Sequence, residues 1–99
     1  MITKDRILEI IQNKEYIYIP NEVLLYSAII ELHEFDKEIN IILTTIYWGN
    51  SMINRNISIS LDDINSPDSL KVIQFISEKK AKIILKKWKI PTKQSENKE

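Results

Sequence analysis

The chain has 99 residues, no cysteine, one histidine and one glycine, and it is formally neutral at pH 7. These counts exclude a disulfide framework, a thiolate metal site and a glycine-rich phosphate loop, and they leave zinc too few soft donors. The neutrality is a cancellation: residues 1–65 carry ten carboxylates against five basic residues, whereas residues 66–99 carry nine lysines against four carboxylates. Such asymmetry points to an acidic partner or surface for the basic end.

The 43% apolar content and the length suit one folded domain. The expected organisation is a single α+β domain over residues 1–91, followed by a polar, disordered tail over residues 92–99. Met1 to Arg6 read as a charged helix start, not a secretory signal. No apolar run approaches the roughly 20 residues that span a bilayer, so the expected location is cytoplasmic, with no membrane contact. Isoleucine is the commonest residue, with lysine, asparagine and glutamate also frequent. Ile, Lys and Asn have A–T-rich codons, which suits the A–T-rich genome of a low-GC bacterium, a phage or an archaeal virus, and the small size and helix–strands–helix outline are shared by many small regulatory and inhibitor proteins of phages and other mobile elements.

Residues 3–14 read as a helix, with Thr3 as cap, Asp5 in the first turn, and Ile7, Leu8 and Ile11 sharing a face. Glu15 to Ile19 alternate, with Tyr16 and Tyr18 opposite Ile17 and Ile19, as in a strand. Residues 22–35 fit two templates. As a helix they present Leu24, Leu25, Ala28, Ile29, Leu32 and Phe35 on one stripe. As a strand they present Leu24, Tyr26, Ala28, Ile30 and Leu32 on one face. The run Phe35-Asp36-Lys37-Glu38 resembles a hairpin tip and tilts the balance towards strand. Residues 39–48 are β-branched and aromatic on both faces, so both faces of that strand need cover. Residues 55–61 alternate between Ile57, Ile59, Leu61 and Ser58, Ser60, as in a strand wetted on one face.

Ser66-Pro67-Asp68 combines a capping serine, a proline at the first helical position and a first-turn carboxylate. It predicts a long basic helix running to about Lys89, stopped by Pro91. Its apolar residues do not keep phase. Val72, Phe75 and Ile76 point one way, while Ala81, Ile84, Leu85 and Trp88 form a stripe rotated by roughly half a turn. Either the element breaks near residues 77–80, or the second stripe meets another surface. The fold class expected is α+β: an N-terminal helix, an antiparallel sheet of three or four strands, and this long basic C-terminal helix.

Several residue sets carry chemistry on paper. The lysines Lys79, Lys80, Lys82, Lys86, Lys87 and Lys89 cover about half of the helix circumference, opposite Leu85 and Trp88. Ammonium groups so placed can meet phosphates or carboxylates, or simply be solvated. The set contains no arginine, the residue most used to read base edges. Tyr16 and Tyr18 have the alternation of a base-stacking platform, and also that of an ordinary half-exposed strand. Asp62, Asp63 and Asp68 offer carboxylates for magnesium, but Asp68 is better explained as a helix-dipole partner. His33 flanked by Glu31 and Glu34 has the makings of a base with an orienting carboxylate, without a nucleophile beside it. No active site assembles from these, and no cofactor or metal is expected.

The functional expectation is a non-enzymatic binding protein, a regulator or inhibitor acting by protein–protein contact with an acidic partner. The alternative is a nucleic-acid-binding module using the lysine helix. The partner-binding residues expected are Lys79, Lys82, Lys86, Lys89, Ile84, Leu85 and Trp88. The stripe Ile84, Leu85, Trp88 also fits a core. The two-faced strand and the second helical stripe leave apolar surface in surplus, which suggests a homodimer.

Overall fold

The β-branched run at 39–48 calls for cover on both faces, and the fold places a helix on each side of one sheet, burying Ile42 on one face and Tyr47 on the other while Ile39 and Leu43 stay exposed. The structure, a computed structural model, describes residues 1–20, 27–49 and 53–88. The elements in chain order are α1 (Lys4–Asn13), β1 (Tyr16–Ile19), β2 (Ala28–Asp36), β3 (Ile41–Trp48), β4 (Ile53–Ser60), α2 (Leu61–Ile64), α3 (Pro67–Leu70), β5 (Gln74–Ile76) and α4 (Glu78–Lys87). The strands form a five-stranded antiparallel sheet in the order β4-β3-β2-β1-β5.

Thr3 caps α1 as expected, its Oγ1 accepting from the Arg6 N–H at 3.1 Å. The helix closes one residue early, at Lys14, whose φ of 55° is the left-handed conformation of many helix ends. Its inward face is Ile7, Ile10 and Ile11; Leu8, expected to share it, is 37% exposed. Together with Ile2, Ile17, Leu32, Ile42 and Ile64, this face makes the larger core. Asn65 holds the chain start against that core. Its Oδ1 accepts from the Ile2 N–H at 2.7 Å, and its Nδ2 donates to the Ile2 carbonyl at 2.8 Å.

The ambiguous segment resolves as strand from Ala28 onward, and residues 22–26 lie outside the described residues. The hairpin tip forms where expected: Asp36 Oδ1 accepts from the Glu38 and Ile39 N–H groups at 3.0 and 3.4 Å, and Asn40 turns with φ 58°. Between Leu32 and Glu34 the β2–β3 register slips, so His33 is the extra residue of a bulge.

The long basic helix does not form. Ser66 caps a helix as its sequence predicts, but α3 is only four residues long. Residues 74–76 then become a strand, and α4 starts afresh on Ser77, whose Oγ accepts from the Lys80 N–H at 3.1 Å. The break therefore starts before residues 77–80. The reason is the dephasing itself. One helix could not bury both apolar sets, whereas β1 has an open edge that accepts Gln74–Ile76 as a neighbour, with Tyr16 opposite Ile76 and Ile17 opposite Phe75. Ile73 then packs on the α1 side and Ile76 on the other. The expected three or four strands become five.

On that other side Tyr16, Ile29, Tyr47, Ile76, Ala81 and Leu85 form a second core, with Tyr18, Ile84 and Trp88 at its margin. The α4 stripe thus lies on the sheet over Tyr16, Ile29, Tyr47 and Ile76, and it reaches β3 at its Tyr47 end, whereas Leu43 on the same face of β3 stays 43% exposed. The α4 stripe therefore no longer counts as surplus apolar surface, while Leu43 of β3 still does.

Candidate partner-binding surface

Ten residues of α4, Glu78-Lys-Lys-Ala-Lys-Ile-Ile-Leu-Lys-Lys, divide by their 100° spacing into two faces. Ala81 and Leu85 are buried at 0% and 2% exposure, and Ile84 and Trp88 are half-buried beside them. At about 25 cal/mol per Å² this stripe fastens the helix to the sheet, with Leu85 alone contributing about 2 kcal/mol. Trp88 lies across Gly49. A Cβ built on that glycine would stand 2.8 Å from Trp88 Cε2, so the ring seats where only a glycine leaves room.

The outward face carries Lys79, Lys82, Lys86 and Lys87, all exposed. Lys79, Ile83 and Lys86 lie in line, one turn apart, and Ile83 is 51% exposed at the centre. The position of Ile83 was not singled out by sequence. The signal was there: it falls four residues after Lys79 and three before Lys86, opposite Ala81 and Leu85. Lys82 is already engaged, its Nζ 3.3 Å from Glu78 Oε2 one turn earlier. Lys86 and Lys87 occupy the last turn, where the helix dipole favours cations.

Of the residues expected to bind a partner, the structure therefore brings Lys79, Lys82 and Lys86 together on one exposed face. It places Leu85 inward, in the core, and Ile84 and Trp88 at the core's margin. Lys89 lies outside the described residues.

The stacking-platform idea fails. Tyr16 is 5% exposed beneath α4 and Tyr18 is half-buried at the same core's edge, so the two rings do not make an open pair for stacked bases. Burial, with Glu31 and then Glu78 nearby, pushes the Tyr16 hydroxyl above its ordinary pKa. Glu31 also accepts from the Tyr47 hydroxyl at 2.8 Å. His33 is not oriented by the flanking carboxylates. Thr45 Oγ1 donates to Asn56 Oδ1 at 2.7 Å, leaving its oxygen to accept from His33 Nε2, also at 2.7 Å. This row crosses β2, β3 and β4. It ties the strands together, and the Thr45 hydroxyl gives its hydrogen to Asn56 rather than to His33. Sequence alone could not find it, because it depends on the register Thr45↔Asn56 and on the bulge.

The carboxylates proposed for magnesium serve as helix starts. Asp63 completes a capping box with Ser60, and Asp62 and Asp68 sit in first turns. Among the described residues no cluster of three His, Cys, Asp or Glu side chains can hold a metal ion, and no helix is long and apolar enough to cross a membrane. Comparison with protein families, with curated proteins and with solved structures finds no match to this chain.

Proposed function

We propose that the chain is a binding protein, a regulator or inhibitor, that docks the outward face of α4 onto an acidic surface of another protein. The observation that carries this reading is the half-exposed Ile83 inside a lysine frame. An apolar centre with a polar, charged rim is the pattern of protein contact sites. A phosphate backbone has no use for the isoleucine, and the face holds no arginine for base edges. Nucleic-acid binding through the same lysines is the second reading, favoured by the exposure of Lys79, Lys86 and Lys87. Homodimerisation stays part of the proposal on the ground of an open sheet edge, so that two lysine faces act together.

The test replaces Lys79, Lys82 and Lys86 by glutamine, which is nearly as good a helix former as lysine, so the fold is its own control. The probe is a glutamate-rich peptide containing leucine, followed by fluorescence anisotropy. Binding to wild type that falls at least about tenfold in the triple variant supports the reading. An equal affinity for the two proteins, or none for wild type, overturns it.

A further inference from the structure

We infer that the outer edge of β4 is a self-association surface, where a second copy of this chain adds its own β4 antiparallel about a two-fold axis through Asn56. The inference rests on the homodimer of the proposed function and is independent of the lysine face.

The strand order leaves two edges, β4 and β5. β5 is only three residues long, too short to offer a ladder of the length that β4 offers. β4 is eight residues long, and among the described residues no strand pairs with its outer side. Two hydrogen bonds set the direction of its backbone groups. The Leu61 N–H donates to the Asn40 carbonyl at 2.9 Å, and Thr44 Oγ1 donates to the Ile57 carbonyl at 2.8 Å. Odd-numbered residues of β4 therefore turn their backbone towards β3. By the alternation of antiparallel ladders, Asn54, Asn56 and Ser58 turn their N–H and C=O groups outward.

This edge lacks the usual protections. It contains no proline and no glycine, Arg55 is its one charge, and the register slip of the sheet lies in the β2–β3 pair. A second copy fits it without mismatch. With the axis at Asn56, Asn54 meets Ser58 of the second copy, Asn56 meets Asn56, and Ser58 meets Asn54. All three are hydrogen-bonded pairs. Side chains of equal parity stay on one face, so Arg55 lies beside Ile57 of the second copy and no like charges come opposite. The result is a continuous ten-stranded sheet. The two α4 helices lie over its outer thirds, about 35 Å apart at 4.8 Å per strand.

The experiment uses Asn56→Asp and Asn56→Lys in the full chain. Aspartate keeps an oxygen for the Thr45 hydroxyl, so the first variant preserves the fold. Wild type should scatter light as a dimer at about 100 μM, each variant alone should dissociate at least about tenfold more readily, and an equal mixture of the two should recover dimers. Amide exchange at Asn54, Asn56 and Ser58 should slow with protein concentration, while exchange at Arg55 and Ile57 should not depend on it. The triple glutamine variant of α4 should dimerise as wild type does, which separates this result from the fate of the lysine face. Wild type that stays monomeric, or an Asn56→Asp variant that dimerises like wild type, overturns the inference.

Discussion

Leu85→Ala asks whether the α4 stripe is core. Leu85 is 2% exposed and packs among Tyr16, Ile29, Tyr47, Ile76 and Ala81. Truncation removes three carbon groups, worth about 2.4 kcal/mol at about 0.8 each. A residual cavity beneath α4 adds to this, giving about 3–4 kcal/mol in total. A domain of this size holds about 5–15 kcal/mol, so the loss is a large fraction of its stability. In urea, with a slope near 1 kcal/mol per molar, the midpoint should fall by about 3 M. Lys86→Gln, the next residue on the outward face, should leave the midpoint in place. A shift below about 1 M for Leu85→Ala would mean that the stripe does not seat on the sheet, and the two-core description would fall with it.

Gly49→Ala should cost about 1–3 kcal/mol by overpacking against the Trp88 ring, and the cost should shrink in a Trp88→Ala background, read as a double-mutant cycle in urea. Trp88→Ala itself should cost about 2 kcal/mol, less than a fully buried tryptophan, because the ring is only half-buried; a Trp48→Phe background keeps its fluorescence readable. The raised Tyr16 hydroxyl leaves stability unaffected at neutral pH, since the tyrosine is neutral in both states. Above pH of about 10 the unfolded chain ionises first, and stability should decline by up to about 1.4 kcal/mol per pH unit. Tyr16→Phe should flatten that alkaline slope, and an unchanged slope would contradict the burial of the hydroxyl.

The local signals of this chain were legible where one residue type decides them. Thr3, Ser66 and Asp36 cap or turn the chain as their side chains predict, the β-branched run at 39–48 gives a strand from Ile41, and the alternation at 55–61 gives a strand that ends at Ser60, with Leu61 opening α2 instead. What could not be read was set by distant neighbours. Val72 to Ile76 look helical after Ser66-Pro67 until the open edge of β1 competes for them. The half-turn dephasing was visible, but its meaning, a strand at Gln74–Ile76 followed by a new helix whose stripe joins Ile76 in one core, needed the edge of β1. The lysine face was visible as composition. Its centre, Ile83, emerged only once Ala81 and Leu85 were fixed as the inward side.

The most direct test of the docking face is the salt dependence of two matched probes, a leucine-containing acidic peptide and an oligonucleotide of equal charge. The reading predicts that the peptide stays bound at about 150 mM salt because apolar contact with Ile83 is insensitive to counterions, while any oligonucleotide binding disappears. Tighter binding of the oligonucleotide, with a log–log salt slope near −3 that three phosphate contacts would give, would contradict it and assign the lysines to nucleic acid.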